Sequence, residues 1–130
     1  MFSKNTENLF LCLPPQVVRE IRRISESYTD FEGKLSEIRI RANRVSSVNL
    51  RGRVIPISAC VTEEQIRDSL KHFCRGSVYA YNESLKDGYV AFEGGYRIGV
   101  SGRAVYENGM ICGVGEVSSL FRAGRYMKTG

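Results

Sequence analysis

The run Glu93-Gly94-Gly95-Tyr96-Arg97-Ile98-Gly99-Val100-Ser101-Gly102-Arg103 sets four glycines and two arginines inside a segment that otherwise reads as β. Gly94 to Gly99 has the Gly-x-x-x-x-Gly spacing of a phosphate-binding loop. Such a loop needs a lysine directly after the second glycine and a strand-loop-helix context, and Val100 stands where the cation belongs. The run is therefore expected to be strand. Along Tyr96 to Tyr106 the alternation puts Tyr96, Ile98 and Val100 on one face. Arg97, Gly99, Ser101 and Arg103 share the other, provided that no bulge intervenes. Two arginines around a glycine and a serine make a basic strip with little bulk, which another backbone or a phosphate can approach closely. The plainer alternative makes the glycines only the bends of a twisted hairpin.

The rest of the chain supplies elements around that strand. Pro14-Pro15 opens a helix, because proline suits the first helical position. Val17, Val18, Ile21 and Ile24 follow at helical spacing, Tyr28 extends their face, and the helix is expected to end near Ser27. Thr29 to Lys34 reads as a loop. Leu35 to Arg41 alternates, with Ile38 and Ile40 against Glu37, Arg39 and Arg41: a half-buried strand with a charged face. After a turn at Ala42-Asn43-Arg44, Val45 to Leu50 and Val54 to Ile57 read as strands joined by a tight Arg51-Gly52-Arg53 connection. Pro56 makes the second of them either short or an edge strand. Thr62-Glu63-Glu64-Gln65 is a capping box, followed by Ile66, Leu70 and Phe73 on one helical stripe as far as Cys74. His72 falls off that stripe and is expected on the surface. A shorter helix is predicted over Val78 to Lys86, ended by Asp87-Gly88. Tyr89 to Phe92, a Gly94-Gly95 turn, Tyr96 to Tyr106, an Asn108-Gly109 hairpin turn and Met110 to Val114 then form a meander, with Val117 to Phe121 as a last strand. The expected class is α+β: an N-terminal helix, a small mixed or antiparallel sheet, two central helices and a C-terminal β-meander, packed as layers.

The length of 130 residues suits one domain that folds without staples. No apolar run approaches the roughly 18 residues of a membrane span. Leu9 to Leu13 is too short for a signal-peptide core, so the expected location is the cytoplasm. Cys12, Cys60, Cys74 and Cys112 are widely spread and His72 is the single histidine. That spacing is poor for zinc, and buried thiols are expected instead. The net charge is +5, and arginine outnumbers lysine 14 to 5. Arginine is the better residue for bidentate contacts to phosphate and carboxylate.

Two segments carry a family likeness. Glu37-Ile38-Arg39-Ile40-Arg41-x-x-Arg44 and Gly88-Tyr89-Val90-Ala91-Phe92-Glu93-Gly94-Gly95-Tyr96-Arg97-Ile98-Gly99-Val100-Ser101-Gly102 resemble stretches of the stage III sporulation protein AA family. Val117-Ser118-Ser119-Leu120 fits the same pattern, and the likeness runs in order from about residue 10 to 120. Gly94, Gly95, Gly99 and Gly102 are its motif glycines. Val45 stands where the family prefers proline.

The resemblance implies an N-terminal domain that precedes a RecA-like ATPase domain similar to those of hexameric secretion ATPases. It also implies a mother-cell motor for a channel into the forespore. ATP and Mg2+ are expected of the full-length family. No cofactor and no metal are expected for this chain, which has no phosphate loop and is not expected to be an enzyme. Residues 1–120 are expected to form the family's non-ATPase domain. The basic tail Phe121 to Gly130 departs from the family pattern, as a truncation or a frame change near Leu120 would make it do.

Two functions remain from different classes. As an assembly domain, the chain would use Arg39, Arg41, Arg97 and Arg103 to meet the ATPase domain or its nucleotide. Its partners would be that domain, further copies in a ring and sporulation membrane-channel proteins. As a single-stranded nucleic-acid module, it would use five arginines against one acid between residues 37 and 53, with Tyr79, Tyr81, Tyr89 and Tyr96 as stacking surfaces. A stand-alone enzyme fares worst. No nucleophile-histidine-acid spacing exists, Glu63-Glu64 suit the first turn of a helix, and Glu93 suits a solvated hairpin end.

Overall fold

A computed structural model of the chain describes residues 2–75, 89–107 and 110–120, the strands beyond Gly99 by their backbone pairing. The helix expected at Val78 to Lys86, the Asn108-Gly109 turn and the tail 121–130 lie outside these residues. The elements are α1 (Lys4–Phe10), α2 (Pro15–Ser25), α3 (Phe31–Lys34), β1 (Leu35–Arg41), β2 (Ser46–Leu50), β3 (Arg53–Ile57), α4 (Glu63–Phe73), β4 (Tyr89–Phe92), β5 (Tyr96–Glu107) and β6 (Met110–Leu120). The fold is α+β.

Local chemistry accounts for most of these boundaries. Pro15 opens α2, and Val17, Ile21 and Ile24 form its buried stripe. The capping box of α4 closes in both directions. Thr62 Oγ1 accepts from the Gln65 N–H, and Gln65 Oε1 accepts from the Thr62 N–H, each at 3.1 Å. Such a cap satisfies two otherwise orphaned donors. Ile66, Leu70 and Phe73 then face the core, each burial stabilising by up to about 1.5–3 kcal/mol. Between β2 and β3, Arg51 and Gly52 both take positive φ (53° and 94°). Two such residues match the right-handed twist of a hairpin. The Gly52 N–H donates to Asn49 Oδ1 at 2.6 Å.

The first strands and the meander join edge to edge in a single six-stranded sheet of order β3-β2-β1-β6-β5-β4, in which every described pairing is antiparallel. The seam is β1 with β6, where Arg39 pairs Ser118 and Ile40 pairs Val117. Met110 to Leu120 is one strand, not two. β3, with Pro56, lies at an edge, where a residue without an N–H costs no ladder bond. One face of the sheet is buried through Ile38, Ile40, Val48, Leu50, Ile57, Val90 and Ile98. These residues share one core with Val17, Ile21 and Ile24 of α2 and Ile66, Leu70 and Phe73 of α4.

Two further differences concern the N-terminal third. α1 arises where no element was expected, capped by the Ser3 side chain on the Thr6 N–H and burying Leu9 and Phe10. The loop expected over Thr29 to Lys34 contains the short helix α3, entered through Asp30 at φ 53°. The thiols also divide. Cys12 and Cys74 are buried as expected, whereas Cys60 is exposed. His72 is exposed as expected. No helix among the described residues is long and apolar enough to cross a membrane.

Candidate functional site

The face of the sheet opposite the core carries the charged residues. Alternation along β1 buries Ile38 and Ile40 and leaves Glu37, Arg39 and Arg41 half-buried on the other side. On β5 it buries Tyr96 and Ile98 and leaves Arg97 exposed. Strand register brings these positions together. Glu37, Leu120, Arg97 and Ala91 form one cross-strand row. Arg39, Ser118, Gly99 and Tyr89 form the next, and Arg41, Glu116 and Ser101 the third. β1 and β5 lie two strand spacings apart, roughly 10 Å. Arg39 and Arg97 therefore occupy one surface without touching.

Each arginine is held differently. Arg39 Nη2 lies 3.4 Å from Glu37 Oε2 on its own strand. The Arg41 N–H donates to the buried Ser46 Oγ at 3.1 Å, which fixes the end of β1 against β2. The Arg97 guanidinium sits 4.8 Å from the centre of the Tyr89 ring. Stacking of this kind keeps a cation extended and exposed. Gly99 carries no side chain between the Arg97 and Ser101 positions, so the face is lowered there. That much agrees with the basic strip expected from the sequence.

Arg103 does not continue the strip by simple alternation. The register shifts between Ser101 and Gly102 and again between Gly102 and Val105. The bulge that the alternation had to avoid is present, and parity counted from Arg97 no longer reaches Arg103. Gly102 marks the place, pairing with Val114. Gly94 and Gly95 serve the other end of β5. Both have positive φ (82° and 81°) in the short 3-10 turn Glu93–Gly95. A Cβ on Gly94 would lie 2.8 Å from Asn5 Cγ, so α1 packs onto this turn through a space that only glycine leaves.

Sequence reasoning missed what anchors the start of the arginine strand. Glu32 of α3 accepts from the Ser3 N–H at 2.9 Å, and from the hydroxyls of Ser3 and Thr6. With the Thr6 proton directed to Glu32, the Tyr96 hydroxyl donates to Thr6 Oγ1, at 2.7 Å. Thr6 and Tyr96 are both buried. A buried hydroxyl is costly unless bonded, so this chain of bonds fixes Tyr96 beside Arg97. Its one trace in the sequence is Ser3 as a helix cap. Among the described residues no group of three or more histidine, cysteine or acidic side chains could hold a metal ion. The thiol of Cys74 is pushed up to about 11 by burial, which makes it unreactive.

The family described as "Sporulation stage III, protein AA" matches residues 12–125. The stage III sporulation protein AA of Bacillus subtilis (strain 168) is 36% identical over 86 residues, covering 66% of this chain and 28% of that protein. The chain thus spans little more than a quarter of the length of this relative. No solved structure matches it.

Proposed function

Because the chain belongs to the stage III sporulation protein AA family, we propose that it is the family's N-terminal assembly domain, acting beside an ATPase domain of the longer protein. The family role in sporulation is the premise; the division of labour is our reading. The observation that carries it is the two-sided sheet. One face is closed over the core, while the other gathers Arg39, Arg41 and Arg97 on neighbouring rows, which also hold the positions of Glu37 and Glu116. Such a face suits a carboxylate-bearing protein surface or the phosphates of a nucleotide held by another domain. The chain supplies no Gly-x-x-x-x-Gly-Lys-[Ser/Thr] of its own. Its part in ATP hydrolysis would be to position and to neutralise charge, with Mg2+ and the phosphate loop coming from elsewhere in the protein. Sporulation channel proteins, and the mother-cell cytoplasm as the site of action, follow from the same reading.

The exposed Arg97–Tyr89 stack favours a second reading, in which the same face binds single-stranded nucleic acid. One experiment separates the two. The purified chain is mixed with the phosphate-loop portion of a family member and, separately, with single-stranded oligonucleotides at low salt. The assembly reading expects a complex with the former that weakens in an Arg39→Ala/Arg97→Ala variant, and no ATP turnover by the chain alone. Magnesium-dependent ATP hydrolysis by the chain alone, or salt-sensitive binding of oligonucleotides without binding of the ATPase portion, overturns it.

A further inference from the structure

Leu9 to Leu13 is an unbroken apolar run, and the tight turn that leaves α1 does not bury all of it. The Cys12 N–H donates to the Leu9 carbonyl at 3.0 Å, and the Leu13 N–H to the Phe10 carbonyl at 3.1 Å. With the turn closed in this way, Leu9, Phe10, Cys12 and Leu13 are buried and Leu11 is left 78% exposed. A single exposed leucine is ordinary. This one edges a shallow hollow of about 360 Å³, whose lining also includes Cys12, Phe92, Asn8, His72 and Arg75. Phe92 belongs to the edge strand β4 and is half-buried. Its ring meets Phe73 edge to face at 5.5 Å, so the core holds part of it while the rest faces the hollow.

The charge around this hollow has one sign. His72 and Arg75 line it, and Lys71 stands one turn before Arg75; all three are exposed. No acid is among its described lining residues, and Asp68, one turn before His72, lies outside it. Basic residues in a last helical turn ordinarily complement the helix dipole. Here they exceed that need. The C-termini of α1 and α4 together bring at most about one negative charge, against the two full cations of Lys71 and Arg75. The volume stands at the low end of small-ligand sites, which run from about 300 to 1,000 Å³. It has room for one large apolar group with its immediate neighbours. An apolar floor with a basic rim is complementary to an apolar group that carries negative charge beside it.

We propose that this hollow docks an acidic peptide segment of a partner protein, in which one large apolar side chain is flanked by carboxylates. The apolar side chain packs on Leu11 and Phe92. The carboxylates on either side of it meet His72, Arg75 and Lys71. A contact of this size belongs to the weak, transient class of interfaces. The hollow lies between α1 and α4, on the helix-covered side of the sheet, whereas Arg39, Arg41 and Arg97 lie on the other side. The two surfaces can be occupied at once, and the peptide site does not rest on the assembly reading.

Fluorescence anisotropy on the whole chain tests it, with a short labelled peptide that carries one leucine between pairs of glutamates. Binding is expected to saturate below about 1 mM and to weaken with salt. Replacing the peptide's glutamates by lysines, or its leucine by serine, is expected to weaken it at least about tenfold. Leu11→Ser and Lys71→Glu/His72→Glu change exposed positions and are expected to keep the circular dichroism spectrum. The first is expected to weaken binding at least about tenfold, and the second to shift the preference to the lysine peptide. Cys12 reports the place, because it lines the hollow. Bound peptide is expected to slow its alkylation by iodoacetamide and to leave the rate at Cys60 unchanged. Absence of saturable binding at about 1 mM overturns the proposal. So does binding that ignores Leu11→Ser or the sign of the peptide's charge, or that leaves the Cys12 rate as it was. Phenylacetate supplies the small-molecule arm: protection of Cys12 by phenylacetate, with none by the peptide, also overturns it. None of these results bears on whether the chain binds the ATPase portion, which is read out separately.

Discussion

Arg22 clasps Glu7 with both arms of its guanidinium, Nη1 to Oε2 at 3.0 Å and Nη2 to Oε1 at 2.6 Å. The same guanidinium lies 5.2 Å from the Phe10 ring centre and 5.7 Å from that of Phe2. One cation on α2 therefore holds both the acid and the aromatic residues of the N-terminal segment. The pair is half exposed, and exposed pairs contribute only about 0–1 kcal/mol. Their effect on pH dependence is still directional. The bond from Arg22 holds the Glu7 carboxyl below its ordinary value. A depressed carboxylate adds stability that is present above the unfolded value and is lost as pH falls through the folded one. Melting temperature is thus expected to fall on acidification below about pH 4.5, and to fall less steeply in Glu7→Gln. Parallel acid limbs for the two proteins would remove Glu7 from the account.

The Thr6–Tyr96 bond makes a sharper prediction, because both residues are buried. Thr6→Val keeps the shape and removes the hydroxyl, taking the Thr6 acceptor from the Tyr96 O–H and one of three donors from Glu32. The expected loss is about 1–3 kcal/mol by urea unfolding. Tyr96→Phe alone is expected to cost less, and the double variant to cost less than the sum. Additive losses would mean that the two hydroxyls do not act as a unit.

Gly94 and Gly52 share positive φ but not surroundings. A Cβ at Gly94 would press on Asn5, whereas one at Gly52 would meet open space. Gly52→Ala is expected to cost the backbone strain alone, about 1 kcal/mol. Gly94→Ala is expected to cost clearly more, and Asn5→Gly in the same chain to recover part of the difference. Equal losses at the two glycines would show that α1 does not bear on the turn.

What could be read from the sequence follows from how local each feature is. The stripe of Val17, Ile21 and Ile24, the alternation of Ile38 and Ile40, and the box of Thr62 and Gln65 are settled within a few residues, and they reappear in place. α1 has just two core residues in seven, Leu9 and Phe10, so periodicity cannot reveal it. It exists because Tyr96, Glu32 and Arg22 receive its side chains from far along the chain. The seam of β1 with β6 joins Arg39 to Ser118, and alternation says that each is in a strand without saying which strands are neighbours. The alternation of the basic strip can be counted as far as Ser101, beyond which the register shift breaks the count from Arg97 to Arg103. Gly102 signalled a bend there, but not its consequence for Arg103.

The thiols give the last prediction. Cys60 is exposed, while Cys74 is fully buried at the end of α4. Burial pushes the Cys74 thiol up to about 11, so at neutral pH almost none of it is the reactive thiolate. Iodoacetamide at pH 8, followed by peptide mapping, is expected to modify Cys60 within minutes and to leave Cys74 unmodified until denaturant is added. Cys12, buried beside the hollow, is expected to react more slowly than Cys60. Its thiol lies 3.8 Å from the Asn8 carbonyl oxygen, toward which it donates. Modification of Cys74 at the rate of Cys60 in the native protein would mean that the end of α4 opens readily, and that the core under Phe73 and Phe92, whose rings meet edge to face at 5.5 Å, is not closed.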